Sequence, residues 1–466
     1  MHAPELIRAS ALTQARLIRE RAVSAVELAR LYLARIERID PDLSSFVQVL
    51  RRSALAEAAR RDAELARLGP SDVGPFHGVP IGIKDLNLAR GSFTRFGSHA
   101  YRFLWTPFDD KTTARLRRAG FVVLGKLSTS EIGAMPVTEP DTHPATRNPW
   151  NLAHSSGGSS GGSGAAVAAG LLPIAQGSDG AGSIRIPSAF CHLYGIKASR
   201  GRVEDSYGRP DRDTLVTTGP IARGVEDAAA MLDVMAGITV GEPHWAPRPG
   251  APFLELARRA PGRLRVRFVT RSPITETHPE IAAAVVATAR LLEGLGHHVD
   301  EGAVAGGTLE EFMPVWQRMI ADVPVPPWAR LQPITRWLAD AGKRVRPEDA
   351  AALQRTLEKR VLAWFGDADV WVTPTVALPA PKVGAYSQPP HEESFRRAAA
   401  IGAFTAPFNI SGQPAASVPA GLTSDGSPIG VQIAGRLNGE GTVLALSRQL
   451  EEAMPWSHRL SPVFDR

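Results

Sequence analysis

Two glycine- and serine-rich segments in the middle of the chain hold the hydroxyl groups best suited to nucleophilic chemistry. The first runs from Ser155 to Gly164 and the second from Gly177 to Pro187, with a largely apolar stretch between them. Glycine permits tight turns and positive φ angles, so such segments let the backbone approach a ligand closely. A flexible linker is the alternative interpretation, because glycine and serine also predominate in linkers. The apolar stretch between the segments favours loops of a binding site.

A serine in these loops would need a base, and two lysines are candidates for it. A serine hydroxyl is a weak nucleophile until a base takes its proton. Lysine can be that base where burial favours its neutral form. The chain has only seven lysines; Lys84 follows an apolar run at 79–83, and Lys126 stands in a similar position after residues 121–125. Position alone does not choose between them, and either could be a purely structural cation.

The same glycines match other motifs only in part. No lysine follows them as a P-loop requires, and the strand–turn–helix setting of a dinucleotide site is missing. Gly-x-Ser-x-Gly occurs twice, centred on Ser159 and on Ser160. The nucleophile elbow of hydrolases needs a strand just before that motif, and we predict that residues 148–154 form a poor strand. The elbow would also need a catalytic histidine, such as His458.

The elements around these segments are typical of an α/β fold. A capping box at Ser24 and Glu27 predicts a helix that ends at Asp40-Pro41, and a second helix covers 53–68. Apolar runs then alternate with helical periodicity. We predict strands at 79–83, 121–124, 264–269, 370–373 and 429–433, and helices at 112–119, 279–295 and 347–364. This alternation predicts a central mixed β-sheet covered by α-helices on both faces.

Composition excludes several classes of protein. The single cysteine, Cys191, cannot form an internal disulfide or a cysteine-based zinc cluster. The net charge is +6, but the arginines are scattered among acids, which argues against a nucleic-acid partner. No apolar run reaches the ~20 residues of a membrane span, and the first residues lack the apolar region of a secretory signal. We therefore expect a cytoplasmic protein without a membrane partner.

The glycine- and serine-rich segments resemble the amidase signature. The resemblance rests on residues 157–170 and 177–187, supported by residues 78–85, 148–151, 195–197 and 404–409, in the family's order over most of the chain. It implies one α/β domain over residues 1–466. Within that domain it implies N-terminal helices at about 1–70, a signature core at about 76–203, a divergent specificity region at about 204–400, and a C-terminal return to the core at about 401–466.

The resemblance also implies a role for each matching residue. Ser183 matches the nucleophile, Ser159 the bridging serine that the family holds on a cis peptide, and Lys84, rather than Lys126, the base. Backbone N–H groups match the oxyanion hole at Gly180, Ala181, Gly182 and Ser183. Side chains that brace the site are matched by Ser160, Ser178, Asp179 and Arg185. Many members have glycine where Ala181 stands, and alanine keeps the N–H donor provided that its φ is not strongly positive.

The activity implied is that of an amidase. It would cleave the linear C–N bond of a small-molecule carboxamide through an acyl-Ser183 intermediate, giving a carboxylic acid and an amine or ammonia. The family's mechanism requires no metal and no cofactor, and a homodimer is a family-level expectation.

Two alternatives remain beside the hydrolase. The A subunit of a glutamyl-tRNA amidotransferase shares the signature, but it usually has glutamine after the arginine of Ser-Ile-Arg, where this chain has Ile186. A non-catalytic binding protein on the same fold would not need Lys84, Ser159 and Ser183 together. The amide itself is not determined by the sequence. Candidate pocket walls in the divergent region are Met313, Trp316, Met319, Trp328 and Trp337, with ordinary core packing as the alternative.

Overall fold

A computed structural model describes residues 3–203, 215–238 and 244–466. The strands are β1 Phe46–Val49, β2 Pro80–Lys84, β3 Ser92–Phe93, β4 Trp105–Thr106, β5 Val122–Leu127, β6 Arg147–Asn148, β7 Asn151–Ser155, β8 Ile174–Asp179, β9 Tyr194–Lys197, β10 Thr217–Ala222, β11 Arg265–Phe268, β12 His298–Glu301, β13 Val370–Pro374, β14 Ala415–Leu422 and β15 Pro428–Gly435.

Helices surround these strands along the whole described chain. They are α1 Ala3–Arg8, α2 Ala11–Arg19, α3 Ala25–Leu43, α4 Arg51–Leu68, α5 Lys111–Arg118, α6 Gly161–Ala168, α7 Arg185–Phe190, α8 Val225–Met235, α9 Phe253–Arg258, α10 Pro279–Gly294, α11 Leu309–Ala321, α12 Pro333–Gly342, α13 Pro347–Phe365, α14 His391–Ala399, α15 Ala406–Ile410 and α16 Glu440–Ala453. Short 3-10 helices lie at His99–Tyr101, Glu131–Gly133 and Ala400–Gly402.

An eleven-stranded mixed sheet forms the centre, in the order β1-β5-β2-β8-β10-β9-β14-β15-β13-β11-β12. Strand β2 runs parallel to both β5 and β8, whereas β10 is antiparallel to β8. Two further pairs, β3 with β4 and β6 with β7, lie outside this sheet. The predicted α/β fold with a central mixed sheet is confirmed.

Alternate residues of β5 show that both faces of the sheet are covered. Val123 belongs to one apolar cluster, which includes Met231 of α8, while Val122 and Leu124 belong to another, which includes Tyr32 of α3. Successive side chains of a strand point to opposite faces. Helices therefore pack on both faces of this part of the sheet, as expected.

Three predicted boundaries were wrong. Helix α3 continues through Pro41 to Leu43, because the packing of the buried Ile39 and Leu43 on the core offsets the hydrogen bond that Pro41 cannot donate. Residues Asn151–Ser155 form a strand, paired with Arg147–Asn148. Residues 174–179, expected to be partly loop, form strand β8, because antiparallel β10 pairs with all six of them.

No helix in the three described ranges combines the length and the apolar character needed to cross a membrane.

Candidate active site

The signature segments meet at one edge of the central sheet. Lys84 is the last residue of β2 and Asp179 is the last residue of β8. These strands are parallel neighbours, so their carboxyl ends lie at the same edge. Helix α6 begins beside them, just after Ser159 and Ser160, and its first N–H donates to Thr138 Oγ1 at 3.1 Å.

Lys84 is fully buried and its amine contacts both signature segments. Its Nζ donates to Ser159 Oγ at 2.8 Å, to Ser178 Oγ at 3.1 Å and to the Ser178 carbonyl at 3.2 Å. Ser160 Oγ donates to the same carbonyl at 3.1 Å. The Gly158–Ser159 peptide bond is cis, as the family resemblance implied. Four of the expected site residues thus form one hydrogen-bonded cluster.

Ser183 lies in the loop that joins β8 to α7, and it lines a cavity of about 120 Å³. Its carbonyl accepts a hydrogen bond from Ser160 N at 3.2 Å. Within the described residues its Oγ makes no hydrogen bond, so the expected contact between the Ser183 and Ser159 hydroxyls is not formed here. Ser159 is nevertheless close to the same cavity, because a Cβ on Gly133, another lining residue, would lie 3.4 Å from Ser159 Oγ.

A buried ion pair holds the loop that carries Ser183. Arg185 Nη2 lies 2.9 Å from Asp179 Oδ1, and both side chains are completely buried. Burial alone would raise the pKa of Asp179, but the Arg185 guanidinium holds it below its usual range. Asn409 donates to Asp179 Oδ1 at 2.9 Å, and Gln432 Oε1 accepts from Arg185 at 2.6 Å. Residues far along the chain therefore fix this pair.

The peptide group between Ala181 and Gly182 is held at both ends. Thr405 Oγ1 donates to the Ala181 carbonyl at 2.7 Å, and Gly182 N donates to Asp179 Oδ1 at 2.7 Å. Gly182 has φ +128, whereas Ala181 is not among the described residues with positive φ, so alanine is accommodated there. Among the four predicted oxyanion donors, the N–H of Gly182 is committed to Asp179. Those of Gly180, Ala181 and Ser183 have no acceptor within the described residues.

Lys126 is equally buried but has a different partner. Its Nζ lies 3.1 Å from Asp85 Oδ1 and donates to Thr94 Oγ1 at 2.8 Å. Burial lowers the pKa of Lys126 and raises that of Asp85, and each charge partly offsets the shift of the other. Lys126 is thus engaged in a buried ion pair, whereas Lys84 Nζ contacts the two serines.

The cavity beside Ser183 has mostly apolar walls contributed by distant helices. Of the five predicted wall residues, Trp316 lines it and lies close to Gly180, whose Cβ would be 3.5 Å from the indole. Met313 packs in the core, and Trp328 is 77% exposed. Sequence reasoning missed a set of apolar residues on α11, α13, α14 and α15 that line the cavity, namely Phe312, Leu357, Val361, Phe395 and Ile410. Their apolar periodicity was the available signal, but it does not distinguish a cavity wall from core.

Comparison with known proteins shows the family of this chain. The sequence model of the amidase family matches residues 27–315 and 308–444. The chain belongs to the amidase family. A putative amidase from Synechocystis sp. (strain ATCC 27184 / PCC 6803 / Kazusa) is 36% identical, over 96% of this chain and 88% of the relative.

Solved structures of amide hydrolases superpose over nearly the whole chain. A 6-aminohexanoate cyclic dimer hydrolase complexed with substrate has a TM-score of 0.88 at 33% identity, covering 98% of this chain and 99% of the other. A bacterial aryl acylamidase of the amidase signature family has a TM-score of 0.87 at 28% identity, with 98% of each chain covered. This amidase is therefore an enzyme that hydrolyses the amide bonds of small molecules. The amidotransferase and binding-protein alternatives are not favoured.

Proposed function

We propose that Ser183, Ser159 and Lys84 hydrolyse a small-molecule carboxamide through an acyl-Ser183 intermediate. The observation that carries the proposal is the 2.8 Å hydrogen bond from Lys84 Nζ to Ser159 Oγ, next to the cavity that Ser183 lines. In the first step a neutral Lys84, whose two N–H groups are directed at Ser178, accepts the Ser159 proton on its lone pair along the 2.8 Å contact, and Ser159 Oγ takes the proton of Ser183. Ser183 Oγ then forms a bond to the amide carbon. Hydrogen bonds that are absent without substrate often form only in the reactive complex.

The negative charge that develops on the carbonyl oxygen needs preorganised donors. We assign this role to the N–H groups of Gly180, Ala181 and Ser183, which have no acceptor among the described residues. The N–H of Gly182 would first have to leave Asp179. One such donor is worth about 3 kcal/mol of transition-state stabilisation in comparable sites. Asp179 and Arg185 position this loop, and Ser160 and Ser178 position Ser159 and Lys84.

Collapse of the tetrahedral intermediate breaks the C–N bond. The proton held by Lys84 returns through Ser159 to the leaving nitrogen, which departs as an amine or as ammonia. Water then attacks the acyl-Ser183 ester, giving its proton to the same relay, and the carboxylic acid leaves as Ser183 regains its hydrogen. Every proton that the relay accepts is returned within one turnover.

Labelling and turnover test the assignment. The isolated chain should hydrolyse simple amides without a partner protein, which separates it from an amidotransferase subunit and from a binding protein. A fluorophosphonate probe should label Ser183, identified by peptide mass mapping. Label on Ser159 or Ser160 instead, together with a large loss of activity in His458→Ala, would support the nucleophile-elbow alternative and contradict ours.

We also propose that the enzyme acts in the cytoplasm on free small molecules, without nucleic acid or membrane, as a homodimer. The scattered arginines argue against a nucleic-acid partner, and the single buried Cys191 is consistent with a reducing compartment such as the cytoplasm. Light scattering on the purified chain measures its mass directly, and a monomer would contradict the dimer.

A further inference from the structure

The cavity beside Ser183 contains a single ionisable side chain among the described residues that line it. That residue is Arg360 of α13, which is partly exposed. The other described lining residues are apolar or glycine, apart from Ser183 and Thr308. A charged group entering such a cavity would lose its hydration without gaining a partner, which is unfavourable. Arg360 is therefore the only described lining residue that could pair with a charged substrate.

The charge of Arg360 is neutralised by Glu311, which pairs with one nitrogen of its guanidinium. Arg360 Nη1 donates to Glu311 Oε1 at 2.9 Å and to Oε2 at 2.7 Å. Glu311 is itself held in the capping box of α11, where its Oε2 accepts from Thr308 N at 3.0 Å. The Arg360 hydrogen bond lowers the pKa of Glu311, so this carboxylate is ionised at neutral pH. The two charges cancel at the cavity wall.

We propose that the Arg360–Glu311 pair determines specificity, by making this cavity select amides whose buried substituent is uncharged and apolar. The inference rests on the proposed function, because it takes the cavity to hold the substrate of Ser183. The volume of about 120 Å³ limits that substituent. It is somewhat smaller than the ~150 Å³ cavity that holds benzene, so a short aliphatic chain fits without adjustment, whereas a phenyl ring requires the walls to move.

Removing the charge of Glu311 should convert Arg360 into an anchor for carboxylates. Glu311→Gln keeps an oxygen that can accept from Thr308 N, and glutamine also serves in capping boxes, so α11 should stay intact. Arg360 would then be free to pair with a carboxylate carried by the substrate. Hydrogen bonds to charged groups are stronger than neutral ones. For a substrate with a terminal carboxylate, kcat/KM should rise most when the chain length places that carboxylate at the Arg360 guanidinium.

The test compares hexanamide with the monoamides of succinic, glutaric, adipic and suberic acids. The ratio of kcat/KM for each acid monoamide to that for hexanamide is measured in wild type and in Glu311→Gln. For the best chain length we expect the ratio to rise about tenfold. An unchanged ratio at every chain length would overturn the proposal.

Two variants control for indirect effects. Glu20→Gln removes the acid of an equally bidentate pair, Arg16 with Glu20 at 2.9 and 2.8 Å, in the distant α2 region, and should leave the ratio unchanged. Glu311→Gln combined with Arg360→Gln should abolish the gain. A gain that persists in this double variant would show that Arg360 is not the anchor.

Binding measurements on an inactive variant distinguish a failure of this proposal from a failure of the proposed function. The same ligands are titrated calorimetrically into Ser183→Ala and into Ser183→Ala with Glu311→Gln. If wild type hydrolyses no amide, the proposed function fails, while a Kd ratio that shifts with Glu311 still supports the role of the pair. If wild type hydrolyses hexanamide but neither ratio responds to Glu311, only the specificity proposal fails.

Discussion

Replacing Lys84 and, separately, Lys126 with methionine should have opposite effects on activity and on stability. Lys84 and Lys126 lie in the neighbouring parallel strands β2 and β5, and both side chains are fully buried. Methionine matches lysine roughly in length and carries no charge. The two variants thus make the same substitution in two closely similar positions. What differs is the partner of each amine.

The contacts of each lysine amine determine how large a loss of rate and of stability we expect in its variant. Lys84→Met removes the proposed base, and general-base catalysis contributes about 10²–10⁴ in rate. It also removes hydrogen bonds to Ser159 and Ser178, each worth about 1 kcal/mol net, while removing the desolvation of an amine. Lys126→Met instead leaves the Asp85 carboxylate buried without the partner that lies 3.1 Å away. Breaking a buried pair in this way costs about 3–5 kcal/mol.

Two assays separate the effects. Amide turnover under saturating substrate gives kcat, and urea unfolding gives the free energy of unfolding. Lys84→Met should lose turnover and unfold near the wild-type midpoint, while Lys126→Met should lose stability and keep its turnover per folded molecule. If Lys126→Met does not fold, the double variant Lys126→Met with Asp85→Asn, which removes both charges, should recover stability.

The variant Lys84→Arg is the strictest test of whether Lys84 is the base. A guanidinium keeps its proton throughout the working pH range, so Lys84→Arg should be as inactive as Lys84→Met if a neutral amine is required. A competent Lys84→Arg enzyme would leave Lys84 as a structural cation. Turnover lost equally in Lys126→Met, without loss of stability, would contradict the distinction between the two lysines.

Three further outcomes are expected at other positions in the structure. Ser183→Ala should lose at least about 10⁴-fold in kcat and keep its unfolding midpoint, because its Oγ makes no hydrogen bond within the described residues; turnover and urea unfolding check this. Burial raises the pKa of Glu451 to about 7 from its usual 4.5, so the native state holds this proton more tightly than the unfolded chain. Wild type should then lose stability relative to Glu451→Gln as pH rises from about 4.5 to 7, by up to about 3 kcal/mol, and the two should converge near pH 4; urea titrations at each pH measure this. Gly162→Ala would place a Cβ 2.4 Å from Ser128 N and should cost more than 1–3 kcal/mol, whereas Gly294→Ala, with nothing within 4 Å, should gain about 0.5 kcal/mol by thermal unfolding.

Local chemistry made much of the site predictable from the sequence. The residues alone indicated serines with a lysine base but left Lys84 and Lys126 open. Resemblance to the family chose Lys84, and the contact of Lys84 with Ser159 agrees with that choice. The commitment of the Gly182 N–H to Asp179 could not be foreseen, because it depends on side-chain direction within a tight loop rather than on residue type.

Contacts between distant segments account for most of what the sequence did not predict. Phe404 to Asn409 was identified as part of the signature, yet its physical role depends on packing: Asn409 and Thr405 reach back more than 200 residues to Asp179 and Ala181. Strand β8 was missed because its Gly, Ser and Asp are unusual in strands. Such residues are tolerated there since β10 pairs with them on one side, while the side chains of Ser160 and Lys84 bond the Ser178 backbone on the other.

The cavity walls show why substrate choice is harder to predict than catalytic chemistry. The apolar face of α11 includes Met313, which packs in the core, and Phe312 and Trp316, which line the cavity. Hydrophobic periodicity identifies that whole face without telling which residues leave a gap. The gap exists because α11, α13 and α14 meet beside Ser183 without filling the space between them. In our proposal, the ion pair of Arg360 with Glu311, which joins two of these helices, makes the cavity select uncharged substituents. In our proposals the reaction depends on residues of the signature segments, which sequence motifs identify, whereas the choice of substrate depends on how distant helices pack together.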